Sequence, residues 1–269
     1  MATLKVRASI PSPTEDCEQL RKAFAVNSTQ LFNHQTWKKT ANRRKMETQG
    51  EGGHPYIPRD LNLPGYVPVF LSQLSILSVY GISSLLVVSF MWILSGRFPK
   101  TSKTDRWLMC WWIFTGLTHI ILEGYFVFSP EFYKEKTHFY LAEVWKEYSK
   151  GDSRYAGRDS CIVTVEGITV VLEGPACLLA VFAIATKKPY RYALQLAISL
   201  GQLYGTLVYF ITSYLEGDNF AASMYYYYAY YITANGFWIV IPTIIIIYCW
   251  KKISAAALQV QELKKTKLR

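Results

Sequence analysis

One histidine and three glutamates stand inside stretches of sequence that are otherwise apolar, at spacings that put them on single helix faces. His119 and Glu123 are four residues apart, and Glu166, Thr169 and Glu173 follow at i, i+3 and i+7. Asn235 and Trp238 are separated by one further turn. Carboxylates and an imidazole are the groups of proton transfer, and an indole face can shelter a cation. The sequence offers no nucleophilic triad, no glycine-rich phosphate loop and no redox ligand set. The His119–Glu123 pair has no third His or Cys near it, so no metal is expected. Each residue also has a plainer reading. The His119–Glu123 pair could simply hold helices together, and Thr169 could bond its own backbone. Asn235 could join two helices, Trp238 could fill the core, and Glu173 beside Gly174-Pro175 could mark a helix break.

The surrounding elements decide between these readings. Half of the 269 residues are hydrophobic and only 18% are charged, against about a quarter in a soluble domain. The apolar residues form five blocks, about 69–94, 107–128, 161–185, 193–214 and 225–250, each long enough to span ~30 Å of hydrocarbon. The fold class expected is an all-α membrane bundle of five helices, with kinks at Pro175 and Pro242. In such a protein an intramembrane carboxylate or imidazole is a functional residue by default. Turned inward, the three faces make one polar pocket in an apolar protein.

The net charge of +10 raises nucleic-acid binding, but the basic residues cluster at helix ends and in the tails, as membrane topology requires. The five cysteines, Cys17, Cys110, Cys161, Cys177 and Cys249, lack CxxC spacing and read as small apolar fillers. Loops 95–106 and 186–192 and the C-terminal tail carry thirteen Lys and Arg, against seven on the other side when the distal N-terminal segment is set aside. This predicts a cytosolic C-terminus and a lumenal N-terminus. Lys265 and Lys267 have the spacing of a dilysine signal for retrieval to the endoplasmic reticulum, and Asn27-Ser28-Thr29 is a glycosylation sequon. Residues 1–53 are expected to lack fixed structure; 54–252 form the membrane domain and 253–269 a basic tail.

Two resemblances add to this. The opening MATLKVRASIPSPTEDCEQLRKAF is similar to the start of plant annexins, without a calcium loop after it. From His54 to Trp250 the chain resembles the emopamil-binding (EXPERA) family of sterol Δ8–Δ7 isomerases, most specifically in WKEYSKGDSRY at Trp145–Tyr155. HIILEGYF from His119, VEGIT from Val165, GQLYG from Gly201 and NGFWIVIP from Asn235 extend the likeness. The resemblance implies an endoplasmic reticulum enzyme with a sterol cavity open to the membrane. It would protonate a Δ8-sterol at C9 and deprotonate it at C7, through a carbocation and without a cofactor. It also implies inhibition by amphiphilic amines, contact with membrane lipid, and a homodimer for which the residues give no separate sign. His119, Glu123, Glu166, Thr169, Asn235 and Trp238 match the family's catalytic positions. In that reading Glu123 and His119 exchange the proton, Glu166 is the partner carboxylate or base, and Thr169 bonds nearby. Asn235 orients Glu123 and Trp238 shields the cation. Tyr148 and Tyr155 either line the pocket or brace the loop. Thr206 and Glu173 depart from the family pattern. The competing readings are a non-catalytic binder of sterols or cationic amphiphiles, and a proton-coupled transporter.

Overall fold

The computed structural model describes residues 53–99 and 101–267. The annexin-like head, Cys17, the Asn27 sequon and the last two residues lie outside them. Five long helices carry the structure: α1 (Gln73–Ser95), α2 (Lys103–Phe128), α4 (Ser160–Ala185), α5 (Arg191–Leu215) and α6 (Met224–Lys267). A short α3 (Tyr140–Tyr148) lies between α2 and α4. No strand occurs among the described residues. Each long helix can cross a bilayer, and each satisfies its own backbone polar groups there. Leu74, Leu85 and Phe90 of α1 and Leu200 and Ile211 of α5 are exposed, as lipid-facing side chains must be.

Polar residues mark where the helices begin. Ser72 caps α1 through Ser75 N, and Asp159 caps α4 through the amides of Cys161 and Ile162. Ser102 and Asp105 form a capping box at the start of α2, and Lys187 reaches Asp105 at 2.6 Å from the α4–α5 turn. Arg106 stacks on Trp92 at 3.9 Å and donates to its carbonyl, tying α2 to the end of α1.

Three helices contain a wide turn with i→i+5 bonding: Thr118–Glu123 in α2, Thr169–Glu173 in α4 and Tyr227–Ala234 in α6. The distortion expected at Pro175 is seen as the α4 wide turn just before it. α6 instead runs helically through Pro242, its wide turn lying upstream. α6 also continues to Lys267, so residues 253–267 are helix, with Lys265 paired to Glu262 at 3.0 Å.

The α2–α4 connection folds against the bundle rather than hanging in water. Glu143 accepts from the amides of Phe70 (2.5 Å) and Leu71 (2.9 Å) and pairs with Lys146 at 3.1 Å. Lys150 pairs with Glu147 at 2.6 Å and Arg154 with Asp152 at 2.7 Å. Arg158 donates to the last carbonyls of α2, at Phe126 and Val127, and lies over the Phe126 ring. The charges of the Trp145–Tyr155 signature are thus neutralised by one another and by Glu143, which allows the segment to approach the cavity.

Candidate active site

The wide turns of α2 and α4 sit side by side because small residues let the helices close together. A Cβ on Gly116 would come within 2.9 Å of Cys177 Cβ, and one on Gly174 within 2.7 Å of Ile120 and 3.3 Å of His119 Cβ. His119 is buried at this closest approach. Its Nδ1 lies 2.7 Å from both oxygens of Glu123. On its other side Gln202 Nε2 donates to His119 Nε2 at 3.1 Å and to Thr115 Oγ1 at 3.2 Å. An amide donor at Nε2 leaves the proton on Nδ1, so His119 donates to Glu123.

Thr169, the first residue of the α4 wide turn, brings its hydroxyl to 2.5 Å from Glu123 Oε2 and 2.7 Å from the Glu166 carbonyl. One hydroxyl proton serves both acceptors, so the backbone bond and the site contact coexist. Glu123 of α2 and Glu166 of α4 border the same cavity, with the Thr169 hydroxyl touching both residues. Tyr155 Oη donates to Glu166 Oε1 at 2.6 Å. Burial above all pushes the Tyr155 phenol well above its ordinary range, so it stays a donor. Burial likewise raises Tyr148.

Asn235 does not orient Glu123. It follows the wide turn of α6, and its amide donates to the Tyr231 carbonyl at 2.8 Å and to Tyr148 Oη at 3.1 Å. The donors on Glu123 are His119 and Thr169; Asn235 instead fixes the Tyr148 ring. Trp238 lies one turn further along α6, its ring 6.4 Å from that of His119 and at a steep angle, with its indole N–H unpartnered among the described residues. His119, Glu123, Glu166, Thr169, Asn235, Trp238, Tyr148 and Tyr155 all border one cavity of about 370 Å³ with a largely apolar wall. α1 and α6 contribute the exposed side chains Leu77 and Tyr225 to its lining, so it opens laterally between these two helices.

Glu173 is absent from that wall. Its carboxyl packs over Gly201 of α5, where a Cβ would collide with it, and Oε2 is buried without a partner among the described residues. Replacing it with Leu is expected to stabilise the protein by about 1–3 kcal/mol, since an unpaired polar group leaves the interior. A thermal melt in detergent beside a turnover assay checks this: a raised Tm with unchanged rate is expected, and lost activity would give Glu173 a role.

Sequence reasoning missed Gln202 and Thr115, although Gln202 lies in the GQLYG string. Their signal was present: a polar amide and a hydroxyl inside apolar blocks. Gln202→Leu is expected to lower kcat by about ten- to thirtyfold by freeing the imidazole tautomer. The readout is a changed pH–rate profile at unchanged thermal stability; an identical profile would reduce Gln202 to packing.

The EXPERA (EXPanded EBP superfamily) family profile matches residues 140–249. Over 207 residues the chain is 68% identical to the probable 3-beta-hydroxysteroid-Delta(8),Delta(7)-isomerase of Arabidopsis thaliana, covering 77% of this chain and 92% of that protein. The protein of the same name from Oryza sativa subsp. japonica is 61% identical over 204 residues, covering 76% and 93%. Protoglabretal synthase of Ailanthus altissima is 55% identical over 215 residues, covering 80% and 98%. Identity at this level over nearly the whole of those proteins, joined to a five-helix membrane fold with a polar site in its cavity, means that the chain belongs to the EBP family of sterol isomerases.

Proposed function

We propose that this chain converts Δ8-sterols to Δ7-sterols by proton addition and removal within the membrane. The observation that carries the reading is the pair of glutamates, Glu123 and Glu166, in the wall of one apolar cavity. The hydrogen bonds around them support a division of labour. Glu123 accepts from His119 and Thr169, an environment suited to a carboxylate base. Glu166 receives a single donor, Tyr155, and is the partner that keeps the proton. Glu166 gives that proton to C9, the C8=C9 electron pair forms the new C9–H bond, and C8 becomes cationic. Glu123 then takes a proton from C7, whose C–H electrons form the C7=C8 bond. Passage of that proton from Glu123 to Glu166 restores the starting state. Glu123 and the Trp238 ring stabilise the charge at C8.

The two 3-beta-hydroxysteroid isomerases among the relatives support the Δ8-sterol substrate over the skeleton acted on by the protoglabretal synthase. The catalytic unit is the five-helix portion from residue 54 to about 252. Amphiphilic amines are expected to bind by placing a cation where the C8 charge forms. The excess of basic residues beyond α1, α4 and α6 supports a cytosolic C-terminus and lumenal N-terminus, and the Lys265–Lys267 spacing supports residence in the endoplasmic reticulum. A homodimer rests on the family resemblance alone. The test is sterol composition in yeast lacking Δ8–Δ7 isomerase: cells expressing the chain should accumulate Δ7- in place of Δ8-sterols. A folded protein that binds sterols or amines yet converts none would make it a binding protein.

A further inference from the structure

The cavity has a second polar region, at the end bordered by α3 and the start of α6. Glu147 of α3 and Tyr230 of α6 both line it, and Tyr230 stands eight residues before Trp238, about 12 Å along the helix. Lys150 holds Glu147 Oε2 at 2.6 Å, while Tyr226 Oη donates to Oε1 at 2.8 Å. Tyr230 Oη receives a bond from Gln73 Nε2 of α1 at 2.9 Å, which directs its own proton away from Gln73. That proton meets Glu147 Oε1 only at 3.5 Å, at the limit of a hydrogen bond. Of the hydrogen-bonded pairs on the wall, three others are closely joined: Tyr155 to Glu166, Asn235 to Tyr148, and Gln202 to His119. The Tyr230–Glu147 contact is the slack one. Its members are nonetheless held in place, since Glu147 is buried and Tyr230 Cβ packs where a side chain on Gly151 would stand.

A hydroxyl lying beside the pair, about 2.8 Å from each oxygen, can bond to both. Resting on the sterol isomerase reading above, we propose that Glu147 and Tyr230 anchor the 3β-hydroxyl of the substrate. Tyr230 Oη donates to the sterol oxygen, and the sterol O–H donates to Glu147 Oε1. A steroid nucleus carries its C3 oxygen two fused rings from the reacting C7–C9 edge, so an anchor at this end sets that edge beside Glu123 and Glu166. Because Gln73 belongs to α1 and Tyr230 to α6, the same bond joins the two helices that flank the cavity's lateral opening, and the anchor forms where the substrate has passed between them.

The experiment measures kcat and KM of the full-length protein in detergent micelles on a 3β-hydroxy-Δ8-sterol and its 3β-methyl ether. The ether keeps the acceptor oxygen and loses the donor. The wild type is expected to show a KM about tenfold higher for the ether at similar kcat. Tyr230→Phe should raise KM about tenfold for both sterols, with kcat within about twofold, because the ether keeps the oxygen that accepts from Tyr230. Glu147→Gln, which keeps shape and one acceptor oxygen, should narrow the preference for the hydroxy sterol. A wild type indifferent to methylation, a Tyr230→Phe variant with unchanged KM, or a Glu147→Gln variant that moves both substrates by one common factor would overturn the anchor while leaving the isomerase reading intact. A wild type that turns over neither sterol would remove both.

Discussion

Glu123→Gln is expected to abolish sterol isomerisation while leaving a folded, sterol-binding protein. The substitution keeps the side-chain volume. The amide oxygen can still accept from His119 Nδ1–H, and the NH2 can turn toward Thr169 Oγ1, so the contacts at 2.7 and 2.5 Å have chemically acceptable replacements. What disappears is a group able to take a proton from carbon. A positioned acid or base contributes about 10²–10⁴-fold, and the carboxylate that also faces the C8 cation should lie at the upper end. Expressed in isomerase-deficient yeast, the variant should leave Δ8-sterols unconverted under conditions where the wild type consumes them. Turnover within a few-fold of wild type would remove Glu123 from the mechanism.

Glu166→Gln should be as damaging, lowering conversion of Δ8-sterol by about 10²–10⁴-fold. Incubated with Δ7-sterol in D2O, the wild type should exchange the hydrogen at C9, because the full reaction run backward removes it and run forward replaces it from Glu166 equilibrated with solvent. Both variants should lose that exchange, since each lacks one of the two groups the round trip needs. Exchange at C9 retained by Glu166→Gln would remove Glu166 from that step. Tyr155 guards against a trivial outcome: its hydroxyl, 2.6 Å from the Glu166 carboxyl, can donate equally well to the amide oxygen that the substitution puts there.

Much of the bundle could be read in the residues because hydrocarbon is an intolerant solvent. A polypeptide crossing it must be a long apolar helix, and the five blocks had no other use. The same intolerance made His119, Glu123 and Glu166 conspicuous. Gln202 was less so, because a glutamine in a membrane helix serves equally well as a bond between helices. The partner of Asn235 was hidden for a related reason: spacing along α6 puts it on the site face but says nothing of Tyr148, which arrives from a distant segment. That segment carried the largest ambiguity. Lys146, Lys150 and Arg154 look like topological charge when counted, yet each has an acidic partner within 3.1 Å. Pairing depends on the fold of the loop, which hydropathy does not encode. Charge alone makes the stretch after Trp250 a basic tail, although SAAALQVQELKKTK is rich in strong helix formers and simply extends α6.

The wide turns in α2, α4 and α6 make the enzyme unusually sensitive to chain length. Each holds one residue more than a regular α-helix needs, so a single-codon deletion there restores ordinary winding. The helix beyond the deletion keeps its facing, and the change falls on the turn itself. In α2 it would break the four-residue spacing of His119 and Glu123, in α4 that of Thr169 and Glu173, and the apolar exterior would pass the change unnoticed. Insertions and deletions that the loops could absorb are therefore expected to be purged from these three short windows, and length in them should be inherited more strictly than sequence.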